Sequence, residues 1–143
     1  MSDRPEVLER TLHESHEWLN DLAARLGWED RQACWRVLRV SLHMLRDRMA
    51  TAEVAHLGAQ MPTLLRGVYY EGWRPAAEGA LPHDAESFLR PLADAFDAVP
   101  GFDAERAFAA VVGLLRERIT EGEMRHVRQM MPKEVAAIWD KAA

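Results

Sequence analysis

With 143 residues the chain has the size of one ordinary domain, enough to bury roughly 68–70% of its unfolded surface without disulfide staples. A hydrophobic fraction of 48%, a charged fraction of 29% and no low-complexity tract exclude a disordered or fibrous chain. A net charge of −5 argues against broad binding to a phosphate backbone, and no apolar run reaches the length of about 18 residues that a membrane span needs.

The start, MSDRPEVLER, is polar and acidic and does not read as a signal peptide; with Cys34 as the only cysteine, the expectation is a cytoplasmic protein. A first helix, expected to run two to four turns, is closed by Gly27. It carries HESHE, where His13 and His16 at i and i+3 beside Glu14 and Glu17 have a spacing that can bind a transition metal, or simply form a solvated face. The long second helix repeats Leu38, Leu42, Leu45 and Met49 along one face. Cys34 lies one turn before Leu38 on that stripe, which makes it a core thiol rather than a nucleophile. Arg31, Arg36, Arg39, Arg46 and Arg48 stand against Asp47 alone, so this helix has a positive face on an acidic protein. A short third helix holds Glu53 and His56, and a fourth starts at Pro62, where a missing N–H costs little.

The segment RGVYYEGWRP follows, and Gly72, Pro75, Gly79 and Pro82 forbid a continuous helix across the join. Pro91 conflicts with a fifth helix unless that helix starts at Arg90 or kinks. Asp103 caps the sixth helix, whose Phe108, Val112, Leu115 and Ile119 repeat the stripe of the second. Thr120–Glu123, TEGE, has capping-box spacing for the seventh helix, and Pro132 starts the eighth.

Shifting the sequence by 70 positions aligns Leu19–Tyr69 with Leu89–Trp139 without a gap. Leu19, Leu22, Ala23, Arg36, Leu45, Arg46, Arg48, Glu53, His56, Met61 and Pro62 recur identically. The expected fold is therefore all-α. Eight helices form one compact domain over residues 1–143, as two tandem four-helix repeats (about 5–72 and 84–142, linker about 73–83) related by a pseudo-twofold. The run LHMLRDRMATAEVAHLGAQMPTLLRGVYYEGWRP, with the upstream EWLNDLAARLGWEDRQACWRVLR, resembles the bacterial domain-of-unknown-function family numbered 2267, over about residues 12–142. The resemblance implies a small all-α protein built from a duplicated helical unit. It implies no activity, cofactor or catalytic residue.

Two constellations carry the functional expectations. Tyr70 and Trp73 have no aromatic counterpart in the second copy; with Arg66 and Arg74 they form a candidate partner-binding patch, or they seal the join between the halves. Glu53/His56 and Glu123/His126 set a carboxylate and an imidazole on one helix face in each copy, as in helical bundles that hold metal ions. The structural alternative has each Glu capping its helix and each His bonding a neighbouring helix. The first expectation is a non-catalytic interaction or scaffold module that binds a protein or itself, with no cofactor. Metal binding is the alternative, and a nucleic-acid adaptor using Arg36, Arg39, Arg46 and Arg48 is the third and least favoured.

Overall fold

The computed structural model describes residues 4–75 and 81–142. Over these it is all-helical: α1 (Glu6–Leu26), α2 (Arg31–Arg46), α3 (Thr51–Gly58), α4 (Thr63–Tyr70), α5 (Ala85–Ala95), α6 (Ala104–Arg118), α7 (Glu121–Gln129) and α8 (Lys133–Lys141). Gly79, expected to help break the join between halves, lies outside the described residues. None of these helices is long and apolar enough to cross a membrane.

Local chemistry sets the boundaries. Gly27 ends α1 in the left-handed conformation, at φ 72°, and its N–H returns to the Ala23 carbonyl. Asp30, Asp84 and Asp103 cap α2, α5 and α6 by accepting backbone N–H groups. Pro62 and Pro132 sit one position earlier than expected, at the caps of α4 and α8. Two expectations need correcting. Helix α1 has 21 residues rather than two to four turns, because nothing between Glu6 and Gly27 interrupts its amphipathic pattern. Helix α5 runs through Pro91, which supplies no N–H to the Ser87 carbonyl one turn back.

Helix α1 packs on α2 and α6, α5 packs on α2 and α6, and the short α3 and α7 lie against one another. The stripes foreseen on α2 and α6 meet in the core, where Leu38, Leu42, Leu45, Phe108, Val112 and Leu115 are buried. Cys34 is buried with them, and burial pushes its thiol pKa up, which suits an inert core residue. Tyr69 and Trp139 are both core aromatics.

Two arginines matched in sequence, Arg46 buried and Arg116 exposed, serve the chain ends of the fourth and eighth helices. Arg46 donates to the carbonyls of Tyr69 at 2.8 Å and Glu71 at 2.6 Å, and His43 Nε2 bonds the Val68 carbonyl at 2.7 Å. These are carbonyls that a helix C-terminus leaves without intrahelical donors, where positive charge is also favoured. Arg116, the match of Arg46, does the same for Trp139 at 2.7 Å and for Ala142. The Tyr69 hydroxyl donates to the buried Val54 carbonyl at 2.8 Å and ties α4 to α3.

Gly58 makes that joint possible. A Cβ placed there would stand 2.9 Å from the Tyr70 hydroxyl and 3.0 Å from the Tyr69 ring. Tyr70 can swing aside, but Tyr69 is fully buried and held by Val54. Gly58→Ala is therefore expected to destabilise by about 1–3 kcal/mol in spite of the better helix propensity of alanine. Thermal denaturation checks this; an unchanged or raised midpoint would show that the tyrosine pair yields without cost.

Candidate functional site

Helices α3 and α7 are too short to be stable alone, and they are held at each other's side by an amide. Gln60, just past α3, accepts the Thr120 N–H at 2.9 Å and donates to the Thr120 hydroxyl at 3.1 Å. This corrects the capping-box expectation. The Thr120 hydroxyl does accept the Glu123 N–H, at 3.4 Å, but the reciprocal position belongs to Gln60. A neutral amide offers Thr120 both an acceptor and a donor, which an ionised carboxylate cannot. The Glu123 carboxylate is thereby released from capping.

Released, it faces α3. Glu53, His56 and Glu123 each present a ligand atom, and all three atoms lie within 4.8 Å of one another. Among the described residues no other three His, Cys, Asp or Glu side chains converge in this way. Glu123 is only 8% exposed, and its Oε1 is buried without a hydrogen-bond partner. Glu53 Oε2 is likewise buried and lacks a hydrogen bond; His56 Nδ1 stands 3.6 Å from it. Burial pushes the Glu123 pKa up and the Glu53 charge pushes it further, against the pull of His56 and His126. Both carboxylates stand in the first turn of their helices, where the dipole favours the ionised form. Two carboxylates brought together, with oxygens that no protein donor serves, are a place for a shared proton or a cation. The His56 side chain is 64% exposed, so the cluster has a solvent-facing side.

Of the four residues expected to act together, three meet. His126 is exposed and stands outside the group, although its charge still reaches Glu123. The HESHE histidines form no such group; His13 pairs with Glu17 on the surface of α1.

The aromatic segment is tied inward. The Tyr70 ring packs against Tyr69 at 5.1 Å and Trp73 at 5.4 Å between centroids, and both Tyr70 and Trp73 lie half-buried on the core. Arg66 donates to the carbonyls of Gly58 at 3.0 Å and Met61 at 3.2 Å, closing the end of α3, and Arg74 is exposed. These contacts favour the sealing role over a partner-binding patch. The arginines of α2 do not act as one face either. Arg46 is buried on carbonyls, while Arg36 reaches the Ala95 carbonyl at 3.3 Å and lies over the Phe96 ring.

A family model described as an uncharacterised conserved protein, DUF2267, matches residues 15–138. No curated protein matches the chain.

Proposed function

The chain belongs to the DUF2267 family, whose description carries no activity, and on the geometry alone we propose that it binds one divalent transition-metal ion between α3 and α7. The single observation behind this reading is the Glu53–His56–Glu123 cluster, with two buried carboxylate oxygens that accept no hydrogen bond. Two carboxylates and one imidazole suit the borderline ion Zn²⁺, or Mn²⁺ with water completing its shell, better than Ca²⁺, which takes six to eight oxygens. Ligand atoms around a tetrahedral ion with bonds of about 2.0–2.2 Å stand ~3.4 Å apart. Glu53 and His56, at 3.6 Å, are near that spacing, and atoms of the cluster as far as 4.8 Å apart need to close in by up to about 1.4 Å. The exposed side at His56 leaves room for water to complete the shell. Such an ion would bond α3 to α7, joining the two halves of a repeated sequence in a structural role. The buried lone thiol Cys34 suits a protein of a reducing, cytoplasmic compartment.

Equilibrium dialysis of chelator-stripped protein against Zn²⁺ and Mn²⁺, with bound metal measured by atomic emission, tests the reading. One ion per chain is expected. Glu53→Gln and Glu123→Gln should each weaken binding by about 100-fold or more, above the 10–100-fold typical of residues that only support a ligand. His126→Ala should change it little. Uptake that survives the double glutamine variant would sink the proposal.

A second reading, self-association or protein binding, keeps one observation in its favour. Val7, Leu8 and Leu12 on α1 are exposed, and so is Leu64, whose N–H is held by Thr11 at 2.8 Å. Sedimentation velocity of wild type and a Leu8→Ser, Leu64→Ser pair tests it; a monomer in both discards self-association through this face.

A further inference from the structure

A groove of about 430 Å³ runs between α2 and α5, walled by Val40, Met44, Phe88 and Pro91. Arg48 stands at its polar end, with the Nε buried and without a hydrogen-bond partner. Among the described residues Arg48 makes no ion pair, and a buried guanidinium nitrogen left unserved is an exception that asks for an explanation.

The sequence repeat supplies one. Arg118 is the match of Arg48 seventy positions on, and it is neutralised by Glu17 and Asp21 of α1, each at 3.6 Å. Helix α5 lies against α2 as α1 lies against α6. The positions on α5 that match Glu17 and Asp21 are Ser87 and Pro91, and both line the groove. Both acids have thus been replaced where Arg48 needs them, and at the same place a cavity opens.

We propose that this groove binds a small monocarboxylate with an apolar body, the ligand's carboxylate taking the place of the two missing acids on Arg48. The other polar groups leave that task to Arg48 alone. Asp47 is held by Arg46 at 2.8 Å, Ser87 brings no positive charge and gives its backbone N–H to Asp84 at 3.2 Å, and His43 is committed through Nε2 to Val68. A single arginine beside the negative Asp47 matches a monoanion better than a dianion such as phosphate. The apolar walls match a hydrocarbon chain or ring, and the volume lies within the range of small-molecule sites.

Isothermal titration of the full chain with octanoate, phenylacetate and octanol tests the proposal. Saturable binding of the two carboxylates is expected, with octanol at least about tenfold weaker, since loss of the charge-assisted pair costs a factor of ten or more. Arg48→Met should weaken octanoate by a similar factor. Ser87→Glu restores an acid opposite Arg48 and should abolish octanoate binding without lowering the melting temperature, so a lost signal there is not a folding failure. No saturable binding of either carboxylate at millimolar concentration, octanol equal to octanoate, or full binding by the Ser87→Glu variant would each overturn it.

Discussion

Arg46→Met is expected to remove about 3 kcal/mol of stability, and Arg116→Met roughly half of that. The two arginines are matched in sequence and close the C-termini of α4 and α8 in the same way, each on two carbonyls. They differ in surroundings. The Arg46 side chain is 5% exposed and lies under the chain that leaves α4, whereas Arg116 stands at the exposed end of α6. A hydrogen bond from a charged donor contributes about 1.5–3 kcal/mol, and carbonyls left buried without a donor carry their full desolvation cost. Water can replace the guanidinium at Trp139 and Ala142 more readily than at Tyr69. Methionine keeps most of the buried stem, so the loss reads on the head group rather than on packing. Against a total stability on the order of 5–15 kcal/mol, the Arg46 loss is large enough to move a urea midpoint clearly. Equal losses in the two variants would show that burial does not set the difference.

Arg46 also marks where sequence reading stops. The number and order of the helices were legible because apolar stripes such as Leu38–Leu42–Leu45 and caps such as Asp103 act within one turn of the chain. Membership of one family was legible for the same reason, as a pattern spread over most of the chain. What each arginine does was not. Five arginines between Arg31 and Arg48 look alike in sequence, yet one is buried on carbonyls, one lies over a phenylalanine ring and one, past the end of α2, faces a groove. The residues of the candidate cluster were legible, but the capping partner of Thr120 was not. Capping-box spacing is satisfied by TEGE, and only the approach of Gln60 from sixty residues away releases Glu123. The groove at Arg48 could have been found from the aligned copies, since the loss of Glu17 and Asp21 at Ser87 and Pro91 is written there. Long-range partners decide such roles, and local periodicity carries no information about them.

The largest effect on the proposed site is an opposite response to pH with and without metal. In chelator-treated protein, burial and then Glu53 hold the Glu123 pKa above its ordinary 4.5. Between 4.5 and that raised value the folded chain binds more protons than the unfolded chain, so this group's contribution to stability falls as pH rises through the window. Acidification should therefore relieve the site, and Glu123→Gln should be more stable than wild type near neutrality and lose the advantage at mild acid. A bound ion reverses the sign, because it needs both carboxylates ionised and competes with the proton. At a metal concentration of 100 times Kd the ion adds roughly 2.7 kcal/mol, on the order of 10 °C in melting temperature for a chain of this size. That increment should shrink as pH falls and be absent from Glu123→Gln at every pH. The measurement is a set of melting curves for wild type and Glu123→Gln, with Zn²⁺ and with chelator, between about pH 7.5 and about pH 4.5. The difference between the two proteins isolates Glu123 from the other carboxylates and histidines that titrate over the same range. A chelated wild type that gains nothing over the variant on acidification would mean that the unserved oxygen finds water. A missing zinc increment at neutral pH would leave the pair sharing a proton, with α3 and α7 held at each other's side by the Gln60–Thr120 amide contact and packing.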